Sequence, residues 1–180
     1  MKLSRIAPWL CAIVLGAQAF HAAAQEPDCV VVFSQGRSLS TTSPEANVMW
    51  NKLNDAFGQF AVQEFERSGR RATAVPYPVE ATDADRVMRD LVQRASKDRC
   101  TLLAQVGMYA EQETQSFVSF MRVRRLEFTR MPGGTKVSIG DQVFERVQRD
   151  PLTRETLDRL VVGDIAHSFV GSYLSQAGSK

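Results

Sequence analysis

The chain has 180 residues, of which 22 are lysine or arginine, 20 are aspartate or glutamate, and 44% are hydrophobic. This length suits one domain with a proper hydrophobic core. The formal net charge of only +2 argues against a nucleic-acid partner, because such binding draws on a basic surface that neutralises phosphates.

The start of the chain has the three-part pattern of a secretory signal peptide. Lys2 and Arg5 form a basic beginning, residues 6–20 form an apolar run, and the three alanines 22–24 end it. This pattern predicts cleavage before Gln25. A transmembrane anchor is the alternative, but the apolar run is shorter than the roughly 18 residues that a spanning helix needs.

We therefore expect residues 1–24 to be removed and residues 25–180 to form a single exported domain in the periplasm, without a transmembrane segment. The removed part carries two cations and no acid, so 22 minus 2 leaves 20 basic residues against 20 acidic ones. Only Cys29 and Cys100 remain as cysteines, and two cysteines in an exported chain are more often joined than free. Closing a loop of about 70 residues would stabilise the fold by about 4 kcal/mol in the chain-entropy model.

The first two elements are a strand and a helix. Residues 29–33 form a continuous β-branched run without polar alternation, which indicates a strand covered on both faces in a parallel sheet flanked by helices. A helix begins after Ser43, with Pro44 at its first position. Its broad apolar face ends near Phe65, and Gly69 supplies the stop.

Three further elements complete a β-α-β-α-β order. Residues 71–79 read as a strand that Pro76 and Pro78 confine to a sheet edge, because proline lacks the amide donor that a ladder needs. A helix follows from about residue 83 to Arg99, and residues 100–110 form the third strand. Right-handed crossovers place the three strands in one parallel sheet.

The prolines and the cysteines predict the same spatial order of the three strands: strand two, strand one, strand three. This order puts the proline-bearing strand at an edge and sets strands one and three side by side. Cys29 and Cys100 then lie at the same end of adjacent strands, within the roughly 7 Å between Cα atoms that a disulfide requires.

The second half of the chain changes character. Residues 117–123 and 126–130 read as strand, residues 131–134 as a turn, and residues 136–147 as a returning strand, with either a bulge or a second turn at Gly140 and Asp141. We expect these strands to extend the sheet antiparallel beyond strand three. A last helix, from Asp150-Pro151 to about Leu174, should cover a sheet face. The predicted fold class is α/β, a mixed sheet with an antiparallel extension and a C-terminal helix.

Groups for catalysis are sparse. Once the leader is removed, His167 is the only histidine; Asp164 could orient it from one turn away, although a surface histidine is the simpler interpretation. Glu111 and Glu113 are the candidates for a carboxylate pair, against a solvated loop. The chain has no glycine-rich phosphate loop. We therefore predict no catalytic, cofactor-binding or metal-binding residues, and no cofactor.

One location favours a ligand. In open α/β sheets, ligands occupy the crevice beyond the carboxyl ends of the strands where the strand order reverses. Here that crevice lies between residues 34–38 and residues 109–113. The candidate ligand residues are Ser34, Arg37, Ser38 and Glu111, with Arg37 placed to meet an anion; an ordinary loop is the alternative.

A run of arginines follows in the antiparallel part, at positions 122, 124, 125 and 130. The interpretation that we favour is the solvent side of a strand pair. The alternative is an electrostatic docking strip for an acidic partner or for anionic lipid headgroups.

The order of elements resembles a family of envelope domains. An exported α/β domain with two helix-crossed strands, a long antiparallel extension ending near VFERV at Val143–Val147, and a closing amphipathic helix is similar to the amino-terminal domain of TolB and to related forms in the curli secretion protein CsgG and the lipoprotein LpoB. The resemblance covers most of residues 29–174. The chain lacks the lipobox cysteine of the lipoprotein members, and no functional residue transfers.

This resemblance implies a non-enzymatic envelope protein that acts through contacts with another envelope protein. The alternative is a periplasmic protein that binds a small molecule or an anion, or an unrecognised hydrolase, using the crevice near Arg37.

Overall fold

A computed structural model describes residues 29–36, 44–81 and 83–178. The described elements form one five-stranded sheet in the order β2-β1-β3-β4-β5, with helices on both faces. In chain order they are β1 (Cys29–Ser34), α1 (Pro44–Arg67), β2 (Arg71–Pro76), α2 (Ala84–Asp98), β3 (Leu102–Glu111), β4 (Ser116–Met131), β5 (Gly134–Pro151), α3 (Arg154–Asp158) and α4 (Val162–Gly178). The predicted fold class is confirmed.

The parallel part of the sheet follows the predicted order. β1 is buried along its whole length and pairs in parallel with β2 on one side and β3 on the other. β2 is an edge strand, as predicted. It ends at Pro76, whereas the sequence predicts a strand that continues to Val79. Because Pro76 and Pro78 carry no amide hydrogen, the ladder cannot be continued regularly past them.

The predicted disulfide between Cys29 and Cys100 is confirmed, with Cα atoms 4.2 Å apart. Cys29 opens β1, but Cys100 lies before β3 instead of being its first residue. Cys100 caps the end of α2: Arg99 adopts a left-handed conformation, and the Cys100 amide donates to the carbonyl of Ala95 at 2.9 Å. The bridge therefore joins the start of β1 to the turn that leads into β3.

β4 and β5 are long antiparallel strands of 16 and 18 residues that extend the sheet beyond β3. Their register shifts on either side of Arg124: Val123 pairs with Phe144, whereas Leu126 pairs with Ile139. The extra residues on β5 include Gly140 and Asp141, so that site is a bulge rather than a second turn.

Each face of the sheet has its own helical cover. α1 and α4 pack on one face around Phe57 and Phe169, whose rings meet edge to face with centroids 5.9 Å apart. α2 packs on the other face through Val87, Leu91 and Ala95.

The C-terminal helix differs from the single helix predicted from Asp150-Pro151. β5 runs on to Pro151, and the amide of Leu152 donates to the carbonyl of Gln115 at 2.8 Å, which keeps the chain beside the start of β4. α3 then makes little more than one turn before the chain bends into α4. The bend leaves Leu157 and Val161 exposed, although their spacing had suggested a buried stripe.

Candidate functional sites

A polar recess of about 360 Å³ lies beside the carboxyl ends of β1 and β3, where the sequence predicts a ligand crevice. It lies on the same sheet face as α2 but beyond the part that α2 covers. Its polar lining comes from Gln35, Gln105, Glu111, Arg122 and Arg149. Three different strands and the chain just after β1 therefore contribute to it.

Strand register assembles this recess. Gln105 of β3 stands opposite Arg122 of β4, and Gly107 stands opposite Phe120 two residues further along. Side chains at alternate positions share a face, so these residues and their β5 neighbours form rows across the sheet. The Phe120 ring lies over Gly107, where an added β-carbon would come within 2.5 Å of a ring carbon. Tyr109 packs edge to face against Phe120, with centroids 6.2 Å apart, and completes an apolar floor.

The charges of the recess are already paired. Arg122 Nε donates to Glu145 Oε1 at 2.7 Å, and Arg149 Nε lies 3.7 Å from Glu111 Oε2. Hydrogen bonds from Arg122 and then from Gln142 lower the pKa of Glu145 below its usual value. An anion entering the recess must therefore compete with two carboxylates for the two guanidinium groups.

Of the four residues predicted to bind a ligand, the structure describes two, and these lie on opposite faces of the sheet. Glu111 lines the recess. Ser34 is 2% exposed, and a β-carbon on Gly58 of α1 would lie 3.0 Å from its Oγ, so its side chain faces α1 on the opposite side of the sheet. Arg37 and Ser38 lie outside the described residues. Their role as ligand residues, like that of Ser34 and Glu111, stays a prediction.

Buried and partly buried amide side chains hold this edge of the sheet together. Asn54 of α1 is 1% exposed; its Oδ1 accepts from the Met108 amide at 2.7 Å and its Nδ2 donates to the Met108 carbonyl at 3.0 Å. It thereby replaces the strand partner that β3 loses where β1 ends. One turn earlier, Asn51 Oδ1 accepts from the Val79 amide at 2.7 Å. Sequence reasoning missed both asparagines, although both interrupt the apolar face of α1.

A second site is an open groove of about 690 Å³ between α2 and β5. The seven α2 residues along it recur at spacings of three or four, so they form one stripe of the helix. Met88, Val92 and Val137 form its apolar wall, and Met88 is 36% exposed. Arg89 and Lys97 add positive charge, and Asp85 adds negative charge. β5 forms the far edge of the sheet, so one side of its backbone has no strand partner among the described residues.

The candidate catalytic side chains do not assemble into a centre in the described part of the chain. His167 is on the surface of α4, and its Nδ1 lies 2.9 Å from Glu64 Oε2 of α1, so Glu64 rather than Asp164 is its partner. Glu113 is exposed in the turn between β3 and β4. Within residues 29–36, 44–81 and 83–178, no three histidine, cysteine, aspartate or glutamate side chains are grouped to hold a metal ion.

Length and apolar character together would be needed for a helix to cross a bilayer, and none of the helices described above combines the two.

The chain matches no protein-family model and no curated protein sequence. Among solved structures it is similar to a hypothetical protein from Chlamydia trachomatis, at 12% identity and a TM-score of 0.40 over 84% of this chain and 95% of that one. It is also similar to a putative neuraminyllactose-binding hemagglutinin homolog from Helicobacter pylori, at 11% identity and a TM-score of 0.35 over 84% of this chain and 87% of that one. Likenesses at these TM-scores carry no argument about ligand or partner.

Proposed function

We propose that this chain is an exported, non-enzymatic protein of the cell envelope that acts by binding another envelope protein through the groove between α2 and β5. The observation that carries the proposal is an apolar wall lying directly beside a sheet edge. The disulfide between Cys29 and Cys100 supports export, because such bonds persist in oxidising compartments. The resemblance of the element order to the TolB amino-terminal domain implies the same kind of role.

The dimensions of the groove fit an extended segment of a partner. The lining of α2 runs from Asp85 to Lys97, twelve residues apart, which at about 1.5 Å per residue spans about 18 Å. An extended strand covers that distance with five or six residues at about 3.3 Å each. In such binding, backbone hydrogen bonds to a sheet edge supply affinity, and side-chain pockets supply specificity. The apolar wall would take alternate side chains of the segment, and Arg89 and Lys97 would favour an acidic residue within it.

Site-specific photo-crosslinking in living cells tests this proposal. A photoreactive residue placed at Met88 should give a discrete adduct with one envelope protein. The same residue placed at Met49, a methionine of α1 whose side chain is 48% exposed, should not. When the protein with the photoreactive residue at position 88 also carries Val92→Glu, the adduct should be lost, because the substitution puts a carboxylate into the apolar wall.

Two measurements make the outcome decisive. The Val92→Glu chain must keep its far-ultraviolet circular dichroism spectrum and thermal midpoint, so that loss of the adduct reports the groove rather than unfolding. Equal adducts from positions 88 and 49, or none from 88 in a folded and exported chain, would contradict binding at the groove.

Anion binding in the polar recess is a second candidate function. It is favoured by one observation: Arg122 and Arg149 both line the recess. Inorganic phosphate should then raise the thermal midpoint of the chain, and Arg149→Ala should remove that increase. The matched control is Arg154→Ala, on α3, where the arginine side chain is 94% exposed and outside the recess. No phosphate-dependent shift in the unaltered protein would exclude this function.

A further inference from the structure

The far end of the β4–β5 ribbon stands apart from the rest of the sheet. β3 pairs with β4 only as far as Leu102 and Arg125, and one more hydrogen bond, from the Leu126 amide to the Thr101 carbonyl, follows at 2.8 Å. Beyond it, the two strands of the ribbon pair only with each other among the described residues. About six residues of each strand remain, which at about 3.3 Å per residue makes a projection of about 20 Å. We call residues 124–136 the ribbon tip; Arg124 and Arg125 form its base, where β4 still pairs with β3. From residue 127 to residue 136, every residue is exposed.

The ribbon tip is strongly positive in an otherwise balanced chain. Four cations, at positions 124, 125, 130 and 136, face one acid, Glu127, giving a local charge of 4 − 1 = +3, whereas residues 25–180 carry 20 cations and 20 acids. Within the described part of the chain, none of the four cations forms an ion pair. Arg124 also acts electrostatically on Glu145, so Arg125, Arg130 and Lys136 carry most of the charge that a partner would meet. Ionic screening limits the reach of that charge to about 8 Å in physiological salt.

Two large apolar side chains lie among these cations. Phe128 is 41% exposed on β4, and Met131 is 51% exposed next to the turn. Phe128 pairs across the ribbon with Val137 of the groove wall, whereas Met131, next to the turn, does not line the groove. Exposed aromatic and aliphatic groups ringed by arginine and lysine are the features that hold a peripheral protein to an anionic bilayer.

The shape of the tip selects the occupant. A stable protein interface buries about 800 Å² on each partner, and the narrow end of a two-stranded ribbon does not offer a flat surface of that size. A bilayer needs no matching surface, because headgroups rearrange around a narrow apolar projection. We propose that the ribbon tip binds a lipid bilayer rich in anionic phospholipid, with Phe128 and Met131 entering the interface and the cations contacting headgroup phosphates.

Sedimentation with lipid vesicles tests this proposal. The chain should begin at Gln25, which keeps every described element and removes the apolar leader. It should bind vesicles of phosphatidylglycerol and phosphatidylcholine mixed in equal parts, and it should not bind vesicles of phosphatidylcholine alone. Arg130→Ala combined with Lys136→Ala should weaken binding about 25-fold, since each cation near an anionic surface contributes about fivefold. The matched control combines Arg154→Ala, at the start of α3, with Arg159→Ala, just after its end. It removes the same charge and should leave binding unchanged.

Insertion of the apolar side chains has its own measurement. Met131→Trp should show a blue-shifted fluorescence maximum with the mixed vesicles, whereas Trp50, which is buried in the core, contributes a constant background. Phe128→Ser combined with Met131→Ser should weaken binding and leave its dependence on salt unchanged. The control, Val48→Ser combined with Met49→Ser on α1, should not weaken binding.

Three outcomes would overturn the proposal. The first is equal binding to both kinds of vesicle, and the second is an equal weakening of vesicle binding by the control substitutions at Arg154 and Arg159. The third is a chain that binds an acidic protein through the same cations but binds no vesicles. Val92→Glu separates this proposal from the proposed function. That substitution removes the groove partner but should leave vesicle binding intact.

Discussion

At the scale of single residues, the side chain with the most consequence for the sheet is Asn54. β1 ends at Ser34, whereas β3 continues to Glu111, so the backbone of Met108 would face the interior without a strand beside it. The two hydrogen bonds from the Asn54 amide fill that gap. A buried backbone group without a partner carries a large desolvation penalty, which explains why a polar residue is buried in the apolar face of α1.

Replacement of this amide should destabilise the domain strongly. Asn54→Ala leaves the amide and the carbonyl of Met108 without partners, and we expect the free energy of unfolding to fall by about 2–4 kcal/mol. Urea denaturation followed by circular dichroism measures this loss. Gln59→Ala, at an exposed position of the same helix, is the control and should change stability by less than about 0.5 kcal/mol. Equal effects of the two substitutions would show that the Asn54 hydrogen bonds do not contribute.

At the scale of elements, the antiparallel ribbon depends on one glycine under an aromatic ring. Gly107 lies in the middle of β3, and the space above it is filled by the ring of Phe120 and by the backbone oxygen of Gln35. The strand can therefore bring β4 and the segment after β1 close together without a side chain between them. This close approach forms the floor of the polar recess.

Two glycine-to-alanine substitutions should have opposite effects. Gly107→Ala adds a β-carbon 2.5 Å from the Phe120 ring and 2.6 Å from the Gln35 oxygen, and we expect it to lower stability by about 1–3 kcal/mol. Gly171→Ala, in the interior of α4, meets no atom within 4 Å and should raise stability by about 0.5–1 kcal/mol, because alanine loses less backbone entropy in a helix. The urea midpoint of each variant is compared with that of the unaltered protein. An unchanged or higher midpoint for Gly107→Ala would contradict the packing described for Gly107.

At the scale of the whole molecule, the disulfide ties the beginning of the described fold to its middle. Cys29 and Cys100 are 71 residues apart, and the segment between them contains both helical crossovers of the parallel sheet. Closing so long a loop restricts the unfolded chain far more than the folded one. The ribbon tip and α4 lie outside the closed loop and depend on packing against it.

Loss of the bridge should therefore affect the stability of the whole domain. Replacing both cysteines by serine should lower the free energy of unfolding by up to about 4 kcal/mol, the chain-entropy figure for a loop of this length. Thermal unfolding at neutral pH, with and without a reductant, measures the effect. The reductant should lower the midpoint of the unaltered protein towards that of the double variant and leave the double variant unchanged. A midpoint in the unaltered protein that does not respond to complete reduction would contradict this prediction.

The choice between a bulge and a second turn at Gly140 could not be predicted from the sequence, whereas the class of fold, the order of the parallel strands and the cysteine pair could. These features follow from local chemistry: proline excludes β2 from the sheet interior, a β-branched run requires cover on both faces, and handed crossovers leave few topologies. They needed no knowledge of which residue meets which across the sheet.

The composition of the recess and of the groove, and the position of the ribbon tip, depend on the tertiary structure. Arg149 pairs with Glu111, and Val137 lines the same groove as Met88, because strand pairing and bulges set the register between distant segments. A shift of one residue would reverse every side chain. The same reason explains the error at the C-terminal helix. Helical spacing from residue 151 onward was present, but pairing of the chain with the start of β4 outweighed it and delayed the long helix to Val162.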